Sequence, residues 1–174
     1  MGVYGITPDA TTTSKGKIIL AGDLGGTADA PTVVGVTGVA WTSFTPTWTN
    51  LTVGNGTNAG YYKISNKTFR CRVQFIFGTT SSISGAVQIS SLPFTMNSNA
   101  YSATERSSLG TGNALDSGTN IFKIEPLWNT STSVLLRTVG VSGSFTNFVD
   151  LSSTSPMTWT TSDRIFVQFF GEIA

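Results

Sequence analysis

A chain of 174 residues and 18.3 kDa has the size of one domain, or of one domain with a short appendage. Charged residues make up only 11% and the net charge is +1, so no electrostatic footprint points to nucleic acid or an anionic membrane. The absence of histidine removes Ser-His-Asp and Cys-His catalysis, histidine-held metals and a histidine pH switch, and the single cysteine excludes an intrachain disulfide and any multi-thiolate metal site.

Polarity comes instead from 28 Thr and 21 Ser, with 19 Gly beside them, a mixture that favours extended backbone and turns over helices. Residues 1–40 contain no Trp, Phe or Cys. Their first positions lack the basic start and apolar stretch of a secretory signal, and no window approaches the length of a membrane span. The strongest apolar run is Lys17-Ile18-Ile19-Leu20, followed by Leu24, Pro31, Val33 and Val34 among scattered glycines. So few large side chains build no core of their own. This segment is either a disordered leader or, as we favour, an extended stretch ordered by other copies or by a partner.

From Trp41 onward the aromatics begin, and residues 41–174 read as one globular head. Strands are expected at Phe44–Leu51, Gly60–Ile64, Thr68–Phe77, Gly85–Ser90, Tyr101–Ser107, Asn120–Trp128, Ser133–Val141, Met157–Thr160 and Arg164–Ile173. The clearest is Thr68–Phe77: Phe69, Cys71, Val73, Phe75 and Phe77 share one parity, and Thr68, Arg70, Arg72, Gln74 and Ile76 lie on the other, largely wet one. Cys71 therefore reads as a small core residue. Turns are expected at Asn55-Gly56 and Ser65-Asn66, both as hairpins, and Gly110–Gly118 reads as the most loop-like part of the head. The last strand is apolar on both parities, with Ile165, Val167 and Phe169 against Phe166 and Phe170, which makes Phe166 and Phe170 candidates for a subunit interface. Frequent turns between short strands predict an all-β antiparallel sandwich of jelly-roll type.

The chemistry inventory is thin. Asp23 and Asp29 flank a glycine-rich stretch that lacks the lysine and hydroxyl residue of a phosphate loop, and two carboxylates make no cation cage. No other pair of carboxylates is brought together by spacing, so neither a catalytic pair, a metal nor a cofactor is expected. Trp41, Trp48, Trp128, Trp159, Tyr61, Tyr62 and Tyr101 either fill a core or stack on sugar rings. Adjacent strand residues face opposite ways, so Tyr61-Tyr62 offers one outward ring. With Asn113 and Asp116 of the polar 109–118 segment, these two tyrosines are the candidate receptor contacts.

Two stretches carry a resemblance. Ala10–Val33, with Lys17-Ile18-Ile19-Leu20-Ala21-Gly22-Asp23-Leu24-Gly25-Gly26-Thr27 and Pro31-Thr32-Val33, resembles a segment of bacteriophage fibre proteins that lies in a slender intertwined trimeric region. Phe44–Thr49, Gly54–Thr57, Tyr61-Tyr62, Phe69–Gly78 and Ile89–Pro93 together look like the C-terminal knob of phage fibres and tailspikes, similar to trimeric jelly rolls of the tumour-necrosis-factor class. The resemblance implies a virion component made in the host cytoplasm: a homotrimer with an N-terminal stalk and a β head. Lys17, Ile18, Ile19, Leu20, Leu24, Pro31, Val33 and Val34 would then serve attachment to a capsid or tail protein and threading of the trimer. The head would contact a host-surface glycan, or, as the alternative, decorate the capsid without specific receptor binding; a polysaccharide-degrading spike is disfavoured by the short head.

Overall fold

The computed structural model describes residues 24–27, 30–33, 39–102, 104, 106–142 and 145–174. Lys17, Ile18, Ile19, Leu20 and Val34 lie outside the described residues. The chain divides into two units, Met1–Val39 and Ala40–Ala174. In the first, β1 (Leu24–Thr27) and β2 (Ala30–Val33) pair antiparallel, with Leu24 opposite Val33 and Gly26 opposite Pro31.

The second unit is an antiparallel sheet curled into a half-barrel, with no helix among the described residues. Its strands are β3 (Thr42–Phe44), β4 (Thr47–Thr52), β5 (Thr57–Ser65), β6 (Thr68–Ile76), β7 (Ser82–Ser90), β8 (Gly110–Asp116), β9 (Asn120–Thr130), β10 (Ser133–Ser142), β11 (Phe145–Asp150) and β12 (Arg164–Glu172). They lie in the order β3-β5-β6-β12-β8-β9-β10-β7-β4, with β11 beside β10. The curl follows from the two ends of that order. β3 and β4 are separated only by Thr45 and Pro46, yet they occupy opposite ends of the sheet. Asn58 on β5 joins them: its Oδ1 accepts from Trp48 Nε1 at 3.0 Å and its Nδ2 donates to the Pro46 carbonyl at 2.7 Å.

Side chains on the concave face fill the core. On β6 these are Phe69, Cys71, Val73 and Phe75, and on β12 Ile165, Val167 and Phe169, with Val87, Ile89, Ile124, Val134 and Leu136 from the strands opposite. The alternation on β6 is thus realised residue by residue. Cys71 is a buried free thiol, and burial pushes its pKa well above the ordinary value because the thiolate would lose its hydration. The Ser65–Thr68 turn is the expected hairpin, with Asn66 at φ 54°, a conformation asparagine adopts readily.

Five expectations are corrected. Gly110–Asp116 is not a loop but β8, paired with both β12 and β9. Its glycines serve close packing: a Cβ at Gly112 would run into the Phe166 carbonyl oxygen and Val167 Cγ1. Asn55-Gly56 does turn the chain, with Gly56 N donating to the Val53 carbonyl at 2.9 Å, but it closes no hairpin. It carries the chain between β4, which pairs β7, and β5, which pairs β6. Phe44–Leu51 is two strands, because Pro46 cannot donate to a ladder and the chain changes ends there. Among the described residues, Tyr101–Ser107 and Met157–Thr160 form no named strand. The first closes locally, Ser107 N donating to the Ser102 carbonyl at 3.2 Å, and the second is pinned through Trp159, whose Nε1 donates to the Ser152 carbonyl at 2.8 Å.

Candidate functional site

The convex surface of the sheet is built from the parity that the core leaves over, and its two halves differ in chemistry. On β4 and β7 the outward pairs are Thr47 with Ser90, Thr49 with Gln88 and Thr52 with Ser82, all uncharged and small or polar. On β5, β6, β12, β8 and β9 the outward rows read differently. One row runs Tyr61, Arg72, Gln168, Thr111; the next runs Ala59, Gln74, Phe166, Asn113, Lys123; a third runs Arg164, Leu115, Ile121. Lys63, Arg70 and Phe170 form a shorter row at the other end. Phe170 is 64% exposed and Ile121 68%. Val139 on β10 and Phe148 on β11, register partners and both exposed, extend the apolar character beyond β9.

Two cations of this half, Lys63 and Arg72, are positioned by aromatic rings rather than carboxylates. The Arg72 guanidinium lies over the Trp41 ring at 4.6 Å and the Tyr61 ring at 5.0 Å, and Lys63 Nζ lies over Trp41 at 5.2 Å. Among the described residues, none of Lys63, Arg70 and Arg72 has an ion-pair partner, whereas Arg137 on β10 is bound to Asp150 on β11 at 2.7 Å. Shallow depressions lie between the side chains. One of about 290 Å³ is bordered by Trp41, Arg70, Gln168 and Phe170, and one of about 170 Å³ by Tyr61, Arg72, Gln74 and Phe166. Among the described residues no group of three or more His, Cys, Asp or Glu side chains is placed to hold a metal ion.

The structure separates the expected contact residues. Tyr61 faces outward, whereas Tyr62 is half-buried and faces the core, edge-on to Phe44 at 5.8 Å and tilted against Phe94 at 5.7 Å. Asn113 shares the convex face with Tyr61, yet three strand spacings, about 14 Å, lie between them. Its Oδ1 accepts from Lys123 Nζ at 3.2 Å. Asp116 stands at the β8–β9 turn, where its backbone carbonyl accepts from Thr119 N. Phe166 and Phe170 do share the convex face, about 13 Å apart along β12. Residues not singled out from sequence are Arg70, Arg72 and Gln168. For Arg70 and Arg72 the signal is the wet parity of the β6 alternation, and for Gln168 the outward parity of β12; their charges and amide come together only once β12 lies beside β6.

Residues 8–59, under a third of the chain, match a family described as a repeat of unknown function (DUF5907). No curated protein and no solved structure matches the chain.

Proposed function

We propose that the chain is a bacteriophage virion structural protein: a short trimeric surface fibre, attached to the particle through residues 1–40, with the β head free for adhesion to the host surface. The reading rests on the fibre-like segment Ala10–Val33 and the knob-like pattern from Phe44, and one structural observation supports it most. Ile121, Phe170, Val139 and Phe148 stand exposed among the polar residues of β12, β9, β10 and β11, while the outward residues of β4 and β7 are small or polar. Large apolar side chains left this exposed on one face are natural contact points, and a second and third copy would cover them.

On this reading the head is a jelly roll, the subunit contact centres on Ile121 and spreads to Val139 and Phe148, and Phe166 and Phe170 lie at its margin. Leu24, Pro31 and Val33 belong to the attachment segment. The protein performs no catalytic step, holds no cofactor and resides in the virion. Antibodies raised against the full chain are expected to label purified particles of the virus that encodes it, and the chain is expected among the proteins of those particles. Its absence from them would overturn the proposal.

A further inference from the structure

The Trp41 end of the convex face repeats one arrangement twice. Arg70 and Arg72 are two positions apart on β6, so their side chains leave the sheet about 6.6 Å apart in the same direction. Each borders its own depression, and each depression carries the same three kinds of neighbour: an amide side chain, Gln168 or Gln74; a phenylalanine of β12, Phe170 or Phe166; and a large aromatic, Trp41 or Tyr61. The Arg72 guanidinium lies over the Trp41 and Tyr61 rings, held by aromatic contacts rather than by a carboxylate. Among the described residues no carboxylate pairs with this guanidinium, whose fork of N–H donors matches a carboxylate. Lys63 adds a third charge beside Trp41 without a carboxylate partner among the described residues.

Such a set recognises a ligand with three properties: a flat apolar face to lie on an aromatic ring, hydroxyls for an amide, and an anionic group at each repeat. Those are the properties of a sugar acid. We propose that this face binds an acidic saccharide chain, Arg70 and Arg72 each meeting the carboxylate of one sugar unit. The inference rests on the adhesive-head reading above and names the ligand class for it. The contact of a single head is small, so useful binding comes from several heads acting together.

The test uses the full chain, titrated with an oligomer of uronic acids and with an uncharged glucose oligomer of equal length, with the mass in solution followed in parallel. The uronic oligomer is expected to bind about tenfold or more tighter than the neutral one and to weaken as salt is raised. Arg70→Gln and Arg72→Gln should each weaken it about fivefold or more, and Trp41→Ala, at a side chain exposed enough to leave folding intact, by a similar factor. Lys67→Gln, on the β5–β6 turn, should change nothing. Equal affinity for both oligomers, no uronic binding, or equal losses from Lys67→Gln and Arg72→Gln would overturn the inference. Binding of the neutral oligomer by an intact trimer would leave the adhesive fibre standing while this ligand class falls. If Arg70→Gln or Arg72→Gln lowers the mass and the uronic oligomer does not bind, the cations belong to the subunit contact instead.

Discussion

Phe75→Ala is expected to cost about 4 kcal/mol, the usual range for removing a fully buried phenylalanine being roughly 3–5. Phe75 has no exposed surface and stands at the middle of an aromatic series. Its ring meets Trp48 at 5.7 Å and Phe77 at 4.9 Å, both edge to face, and Phe77 stacks on Trp159 at 4.8 Å. The series joins β4, at one end of the sheet, to β6 and then to the segment before β12. Truncation therefore removes both buried apolar area and the contact that keeps the sheet curled. For a chain of this length a loss of that size lowers the melting temperature by about 8–16 °C. Phe75→Leu, which refills most of the space, should cost less than half as much. Thermal and urea unfolding of the two variants checks this, and a loss under about 1 kcal/mol for Phe75→Ala would mean that the curl is held elsewhere.

Asp163→Ala is expected to cost about 3 kcal/mol, for a different reason. Asp163 is fully buried, and its carboxylate accepts from Ser117 N at 2.9 Å, Thr160 N at 2.6 Å and Thr160 Oγ1 at 3.2 Å. Its own backbone carbonyl accepts from Phe77 N at 2.9 Å. One side chain thus fixes the β8–β9 turn and the turn before β12. Alanine leaves two backbone N–H groups without their acceptor, at about 1–3 kcal/mol for each buried donor stranded. Asp163→Asn keeps one carbonyl oxygen but turns amide hydrogens towards the remaining donors, so it recovers part of the loss at most. Hydrogen exchange at the Ser117 and Thr160 amides should quicken in Asp163→Ala. Unchanged exchange there would show that the carboxylate is not what orders the turns.

These two residues illustrate what can be read from a sequence of this kind. Phe75 announces itself, because β6 alternates strictly and needs no knowledge of its neighbours. Asp163 does not: nothing local says that its acceptors will meet an N–H supplied 46 positions earlier. β8 was misread for a related reason. Gly110, Gly112 and Asn113 are turn formers by local propensity, and only the presence of β12 alongside makes glycine the residue that lets two backbones approach. The convex site was half legible. Tyr61 and the outward parity of β12 could be read from alternation, and the same rule assigned Tyr62 to the opposite face from Tyr61 without saying which faced the core. The pairing of Arg70 with Phe170, and of Gln74 with Phe166, depends on a register set between strands almost a hundred residues apart in the chain.

In the proposed trimer, copies of this chain close on one another through the part of the convex face that carries Ile121, Val139 and Phe148. Light scattering of the full chain tests this closure most directly. The mass expected is three times 18.3 kDa, and Ile121→Arg, at a side chain that touches solvent in the isolated head, should return it to that of one chain. A full-length chain that stays at 18.3 kDa at every concentration, or an Ile121→Arg variant whose trimer is undisturbed, would contradict the claim.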